Sequence, residues 1–556
     1  MSDTFYRTPT RSNGVDDIFP AIIPVPGPDR RRTLVLCFDG TGDQFDSDNS
    51  NIVELFSMLK KDDRTQQMVY YQAGIGTYTS PKFVTPFSTS ISKILDMCVA
   101  KYLDQHVMEG YEFLMQNYTA GDKICLFGFS RGAYTAQALS GMLHKVGLLP
   151  ACNHQQVPFA WKMYSRDDEA GWEESRHFKQ AFSIDVDIDF VGVWDTVNSV
   201  GILPKRLPFT SSNYAVRTFR HALSLDERRA KFKANTWNRP TPQQAALGTQ
   251  PEHKKPKRRY HARTDTPESE KLKARTRQKK SKTHDIHREA ATATPTDIKE
   301  VWFAGAHCDV GGGSVKNNER HALARIPLRW MIQECFRCNT GILFESDKIE
   351  DIGLPAESLW PTVIHPSELE IEELYGTNHR HSPSLPTTPQ TPSNIPLPPV
   401  SPNHASEAIM VEPGADAMPH RPPLESTSGT SATLTGKLKA PHSSHSGPGS
   451  ASTLANPDAQ FNYATLERED ALSPIYDQLS RNWWWWILEV IPLKHRYQDS
   501  DDDNWRSEFT INLGRGRYIP QQTRKGFLVH SSVKTRMEAL GYRPRTLWKV
   551  EPTWVD

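Results

Sequence analysis

Residues 124–132 read Ile-Cys-Leu-Phe-Gly-Phe-Ser-Arg-Gly, a short apolar strand running into Gly128-x-Ser130-x-Gly132. A helical pattern over 133–149 follows at once, with Ala133, Ala136, Leu139, Met142, Leu143 and Val146 recurring on one face. This strand–turn–helix context is what gives so short a G-x-S-x-G match its meaning. The serine must stand at a sharp turn with its hydroxyl raised above the sheet. Glycine flanks it on both sides because a side chain at 128 or 132 would collide with the neighbouring strand or helix. The stretch predicts a nucleophile elbow, and with it a serine hydrolase.

Working outward, the strand pattern Leu34–Phe38 leads into Asp39-Gly-Thr-Gly42 and a helix over Ile52–Leu59. Tyr70–Gly76 has the pattern of a second strand ending in a glycine loop, and one or two helices fit Ile91–Met115. Phe190–Trp194 and Val301–Ala304 are two further short apolar strands. Strands separated by helical stretches indicate an α/β fold, α/β-hydrolase-like, with a mainly parallel sheet and helices on both faces. Two long segments interrupt it. Residues 238–296 are poor in apolar side chains and rich in Lys and Arg, including Lys254–Arg259 and Arg277–Lys280. Residues 376–456 are dense in Pro, Ser and Thr, with Ser-Pro or Thr-Pro steps at Ser382, Thr388, Thr391 and Ser401. Neither can offset its ordering entropy by burial, so both are expected to be disordered insertions. The division is then a polar tail over 1–30, a first core part over 31–237 carrying nucleophile and acid, and the basic insertion 238–296. A second core part over 297–375 carries the histidine loop. The linker 376–456 and a Trp-rich C-terminal segment over 457–556 complete the chain.

Charge is balanced in this 556-residue chain, 66 basic against 65 acidic residues, so no overall field recruits nucleic acid or membrane. Seven cysteines, few and odd in number, argue against a disulfide framework and for a reducing compartment. Cys335 and Cys338 have metal-site spacing but no second pair, and they fall in a helical pattern with Leu328, Met331, Ile332 and Phe336. No metal and no cofactor is called for. The start of the chain lacks a signal-peptide pattern, and no run approaches the roughly 18 apolar residues of a spanning helix. The expectation is an intracellular, cytoplasmic protein. Its basic insertion could contact acidic lipid, nucleic acid or import machinery, the last taking it to the nucleus. Trp483–Trp486, followed by Ile487, Leu488, Val490 and Ile491, has two readings. One is peripheral anchoring at a lipid surface, where Trp is enriched. The other, which we adopt from the sequence, is packing against the core, because four adjacent Trp point all around a helix.

A serine hydroxyl needs a histidine to take its proton and a carboxylate to orient that histidine, in the chain order serine, acid, histidine. Asp195 directly follows the strand Phe190–Trp194, and His307 follows Val301–Gly305, so both lie at the carboxyl ends of predicted strands. Asp195 competes with a mere turn-capping role, and Asp189 lies inside the strand pattern. His307 competes with His221, at an apparent helical start, and with His530 in the C-terminal segment. The amide of Arg131 and the loop Gly40-Thr41 are the candidate oxyanion donors. Asp39 is either structural or a cation ligand, and Asp309 either steadies the histidine loop or acts as a second carboxylate. The run Asp39-Gly-Thr also suggests a haloacid-dehalogenase-like phosphatase, but the position that chemistry needs for its nucleophile is Cys37.

Taken together, Cys37–Gly42, Gly128–Ala133, Trp194–Val197 and Gly305–Gly313 resemble one family, the α/β-hydrolase domain of the type VI secretion phospholipase effectors (domain of unknown function 2235). The resemblance covers roughly 33–370 apart from the first insertion, and the long polar insertions look like its fungal branch. It implies a Ser130–Asp195–His307 triad and a small-molecule or lipid ester as substrate. Cys308 departs from the small polar residue expected beside the histidine. The alternative is a catalytically idle hydrolase fold, a scaffold working through its basic and Ser/Thr-Pro segments.

Overall fold

The computed structural model describes residues 19–28, 30–41, 43–74, 90–197, 207–210, 213, 215–238, 295–367, 463–498 and 505–556. The tail before Phe19, Gly42, the end of the Tyr70–Gly76 stretch, the basic cluster Lys254–Arg259 and the Pro/Ser/Thr-rich linker lie outside the described residues.

Eight strands form one sheet: β1 (Thr33–Phe38), β2 (Gln67–Gln72), β3 (Lys123–Phe129), β4 (Ile188–Trp194), β5 (Val216–Ser224), β6 (Asp297–Phe303), β7 (Leu528–His530) and β8 (Thr553–Val555). Their order is β8-β7-β6-β5-β4-β3-β1-β2, and every neighbouring pair runs parallel. A parallel sheet is covered on both faces, so its strands are apolar on both sides of the pleat. Alternate residues of β1 and β3 therefore enter two separate cores. Leu34, Leu36, Phe38, Ile124 and Leu126 pack against α2 (Ser90–Asn117) through Val107 and Tyr111, and against α3 (Ser130–Val146) through Leu139 and Met142. Val35, Cys37, Cys125, Phe127 and Phe129 pack on the other face against α1 (Asn51–Met58) and against α5 (Arg325–Arg337), the helix that follows the short α4 (His307–Gly311). Helix α1 begins where the Ser50 hydroxyl accepts the Val53 N–H, and α3 ends at Gly147 with φ of 71°.

The chain enters at β1, moves outward to β2, then returns to β3 on the other side of β1. The strand order thus reverses between β1 and β3. The carboxyl ends of these two strands are thus the position where open α/β sheets bind ligands. The loop beginning at Asp39 and the start of α3 at Ser130 lie at that edge.

Two features depart from the sequence reading. His221 lies in the middle of β5, not at a helical start. Arg220 and His221 break the apolar signature of that strand, yet both are buried, with Arg220 on Glu334 and Asp297 and His221 on Glu300. The C-terminal segment adds two strands to the sheet. A third apolar cluster of Leu223, Leu225, Trp302, Ile519, Phe527, Val529 and Val533 seals it onto β5 and β6.

Helix α6 (Tyr463–Leu472) brings Asp470 to Arg329 of α5, with Nη1 and Oδ2 2.7 Å apart and both side chains buried. Asp470 also accepts the Ala322 N–H at 3.1 Å. Removing one member of a buried pair leaves the other charge uncompensated. Asp470→Ala is expected to lower stability by about 3–5 kcal/mol, read as a lower urea midpoint at unchanged slope.

Candidate active site

The elbow at the end of β3 is sterically forced. A Cβ on Gly128 would stand 2.5 Å from Ala133 Cα, and one on Gly132 would stand 2.2 Å from the Phe38 carbonyl oxygen. With bulk excluded at both positions, α3 turns directly off the strand. Ser130 adopts φ of 57°, a conformation L-residues rarely take outside such turns.

From this turn the Ser130 hydroxyl reaches His307 Nε2 at 2.8 Å, and His307 Nδ1 reaches Asp195 Oδ2 at 2.6 Å. All three side chains are buried. With Nδ1–H donating to the carboxylate, Nε2 carries the lone pair that the serine proton needs. The imidazole is clasped between Phe129, 4.7 Å away centre to centre, and Phe232, edge-on at 4.9 Å. Burial pushes its pKa below the ordinary value, against the opposing pull of Asp195, so the neutral base is the resting form.

The Asp195 carboxylate is held from several directions. Oδ1 accepts the Ser224 N–H at 3.0 Å, and Arg517 spans both oxygens at 2.5 and 2.8 Å. Burial alone would raise this carboxyl, but Arg517 and His307 together hold it well below the usual carboxylate range. Arg517 was not legible from any sequence motif.

The two accessory carboxylates hold loops. Asp39 accepts from the Gly40 N–H at 2.8 Å, the Ser50 hydroxyl at 2.6 Å and the Tyr71 hydroxyl at 2.7 Å. Asp309 accepts the Ala306 and Tyr476 N–H groups at 2.8 and 2.9 Å and the Ser314 hydroxyl at 3.0 Å, while burial pushes its pKa up to about 6. It therefore steadies the turn that carries His307.

The Gly40 amide, expected as an oxyanion donor, is committed to Asp39 instead. In the same loop the Thr41 hydroxyl is buried with no hydrogen-bond partner. Arg131 directly follows Ser130 in the first turn of α3.

The two rival histidines are occupied elsewhere. His221 bonds Glu300 at 3.0 Å and accepts the Thr196 N–H at 3.2 Å. His530 accepts the Ser532 N–H at 3.2 Å and stacks on Phe303, and burial holds its pKa at about 3. Among the described residues, no group of three or more His, Cys, Asp and Glu side chains is arranged to hold a metal ion.

A parallel sheet with a serine elbow at its switch point defines an α/β-hydrolase-like protein. The family model described as "T6SS, Phospholipase effector Tle1-like, catalytic domain" matches residues 32–334, and the chain belongs to that family. The uncharacterized protein YEL023C of Saccharomyces cerevisiae is 27% identical, over 90% of this chain and 79% of its own length, in keeping with the fungal branch. An uncharacterized protein from Pseudomonas aeruginosa has a crystal structure that aligns with 17% identity and a TM-score of 0.31. That alignment covers 59% of this chain and 50% of the other. The structure of the Tle1 effector bound to the VgrG spike of the type VI secretion system aligns with 14% identity and a TM-score of 0.24, covering 66% of this chain and 88% of the other.

The depressed His307 pKa has a readable consequence. The imidazole must be neutral to accept a proton, so function persists as pH falls past the usual imidazole value of about 6.5 and is lost only through the lower value. NMR titration of the ring, and the acid limb of kcat/KM, should both give an apparent pKa below that value.

Proposed function

We propose that the protein is a serine hydrolase that cleaves an ester bond in a lipid, with Ser130 as nucleophile, His307 as general base and then acid, and Asp195 as the orienting carboxylate. The observation that carries this reading is the unbroken hydrogen-bonded line Ser130–His307–Asp195 at the switch point of the sheet. In the first step the Ser130 oxygen adds to the ester carbonyl while His307 Nε2 takes the hydroxyl proton. The developing oxyanion would be met by the Arg131 amide and the Thr41 loop. Collapse expels the alcohol, which leaves with the proton from His307. Water then repeats the sequence on the acyl-enzyme and releases the acid.

Two observations favour a lipid. The family to which the chain belongs is described as one of phospholipase effectors. Beside the site, Trp484 stacks on Trp485 at 4.2 Å, Trp485 meets Phe232 at 5.6 Å, and Phe232 meets His307. Trp485 faces the core closely, and Trp486 donates its Nε1–H to the Leu479 carbonyl at 3.1 Å. Trp483 is 77% and Trp484 48% exposed, and Ile487, Val490 and Ile491 join them in solvent. The expectation that the whole cluster packs inward fails because a 3₁₀ turn and one helical turn present only one side to the protein. An exposed aromatic surface beside a hydrolase site suits peripheral contact with a lipid–water interface. No helix among the described residues is long and apolar enough to cross a membrane.

The test is fluorophosphonate labelling of the full-length protein, followed by turnover of phospholipid vesicles and of a soluble short-chain ester. Ser130→Ala should abolish labelling and lower turnover by roughly four orders of magnitude or more in a folded protein. Adding His307→Ala should cost little more, because members of one unit are not additive. Trp483→Ser with Trp484→Ser should reduce vesicle turnover and spare the soluble ester. A folded wild-type protein that resists labelling would leave the idle scaffold as the better reading.

A further inference from the structure

The family match ends at residue 334, yet the carboxylate that orients His307 is gripped by a side chain far beyond it. Arg517 is buried, and every N–H of its guanidinium is used. Nη1 donates to Asp195 Oδ1 and to the Ser224 carbonyl at 3.3 Å, Nη2 to Asp195 Oδ2 and to the Phe232 carbonyl at 2.6 Å, and Nε to the Phe232 carbonyl at 3.0 Å. Five hydrogens meet five acceptor contacts, so the group has one orientation and leaves no donor for solvent.

The loop that carries Arg517 is tied down on both sides. Upstream, the Asn512 side chain donates to the Arg228 carbonyl at 2.7 Å, and the Gly514 N–H donates to Glu489 at 2.9 Å. Glu489 in turn accepts the Ala230 N–H at 2.6 Å, which fastens the Trp-bearing segment to the loop after β5. Downstream, the Arg517 carbonyl accepts the Leu547 N–H, and Ile519 enters the third apolar cluster. A Cβ on Gly516 would stand 2.0 Å from the Arg545 carbonyl oxygen, so the chain passes there with no room to spare.

We propose that Arg517 is a positioning residue of the catalytic site, supplied by the C-terminal segment, and that the Ser130–His307–Asp195 unit is complete only when that segment is docked. The inference rests on the serine-hydrolase reading above. Its physical content is twofold. The guanidinium fork fixes the plane of the Asp195 carboxylate, and that plane fixes the imidazole ring that must meet the serine. The fork also shares the carboxylate charge, so the buried anion does not hold His307 in its protonated form at rest.

The charged groups facing this centre are few. Asp195 directly follows β4, Glu227 and Arg229 come from the loop after β5, and Arg517 comes from the C-terminal segment. Glu227 and Arg229 pair with each other at 2.7 Å. Lys233, bound to Asn512 at 2.7 Å, is a further cation near Arg517. Loss of Arg517 therefore leaves Asp195 with His307 as its direct charge partner, which favours the imidazolium.

The primary variant is Arg517→Lys, which keeps a buried cation but replaces the planar fork by a point charge with three donors. Arg517→Ala is the second, measured with and without added methylguanidinium. In folded Arg517→Lys, kcat on a soluble ester should fall about 100-fold with KM nearly unchanged, the scale expected of small misplacements in an active site. In Arg517→Ala, the His307 ring should titrate at higher pH than in the wild type, the acid limb should move the same way, and methylguanidinium should restore part of kcat. An unshifted imidazole titration in folded Arg517→Ala, or wild-type kcat in Arg517→Lys, would overturn the proposal. The ring titration does not depend on turnover. A wild-type protein without esterase activity would thus defeat the hydrolase reading while the His307–Asp195–Arg517 coupling was still being measured.

Discussion

One buried carboxylate, that of Asp195, organises the molecule around the site. A charge so deep at the end of a parallel sheet is tolerable only when its oxygens are fully engaged. Here the engagement comes from three places far apart in sequence: the Ser224 amide at the end of β5, the His307 ring after β6 and the Arg517 fork of the C-terminal segment. Each partner in turn needs its own support, which is why the surrounding loops carry so many buried polar groups. Glu227 and Arg229 pair beneath the histidine, and Asp226 accepts the Gly305 amide and the Tyr542 hydroxyl. The electrostatic requirement of one group thus fixes the approach of three chain segments.

The elbow answers a different constraint, that of space. At the switch point the backbone of α3 crosses within contact of the β1 terminus, so Gly132 faces the Phe38 and Asp39 carbonyl oxygens. That closeness puts the loop after β1 beside Ser130. The same loop is stiffened by Asp39, whose oxygens are occupied by Gly40, Ser50 and Tyr71. In the proposed mechanism that stiffness would matter, because an oxyanion site works through dipoles that need no rearrangement when charge develops. Asp39 thus ties this loop together, with Oδ1 shared by the Gly40 amide and the Ser50 hydroxyl and Oδ2 accepting from Tyr71.

Much of this was legible in the sequence because parallel sheets advertise themselves. Buried on both faces, β1, β3 and β4 read as short apolar runs, and residues just past them fall at the ligand-binding edge. Ser130, Asp195 and His307 were singled out by that placement together with the G-x-S-x-G elbow and the chain order serine, acid, histidine. What escaped was polar and buried. β5 was hidden by Arg220 and His221, whose burial depends on Glu334, Asp297 and Glu300 from elsewhere in the chain. Arg517 sits in Gly514-Arg-Gly-Arg-Tyr518, which has no periodicity and resembles any basic surface loop. Its partner is 322 positions away, and no local pattern encodes a pairing of that length. The flanking glycines were the only trace, since Gly516 marks a close approach of two backbones. The Trp cluster misled for the opposite reason, because its composition suggested burial while its helix is too short to bury more than one side.

The C-terminal segment also bears on how the sheet is built. β7 pairs with β6 through only two residues, and β8 is three residues long. Strands so short gain little from their own ladder, and the chain between β6 and β7 is long and passes through α4, α5 and α6. Length is a weak obstacle, since closure entropy rises only with the logarithm of loop size. What holds these strands is the third apolar cluster and the polar ties around Glu489, Asn512 and Arg517. Those ties end on the same loop after β5 that supports His307. Docking of the segment and alignment of the imidazole are therefore coupled through shared atoms, with Arg517 touching Ser224, Phe232 and Asp195 at once. A perturbation that loosens the Trp-bearing segment has a direct mechanical route to the Asp195 carboxylate, and the rings of Trp485 and Phe232 lie along it.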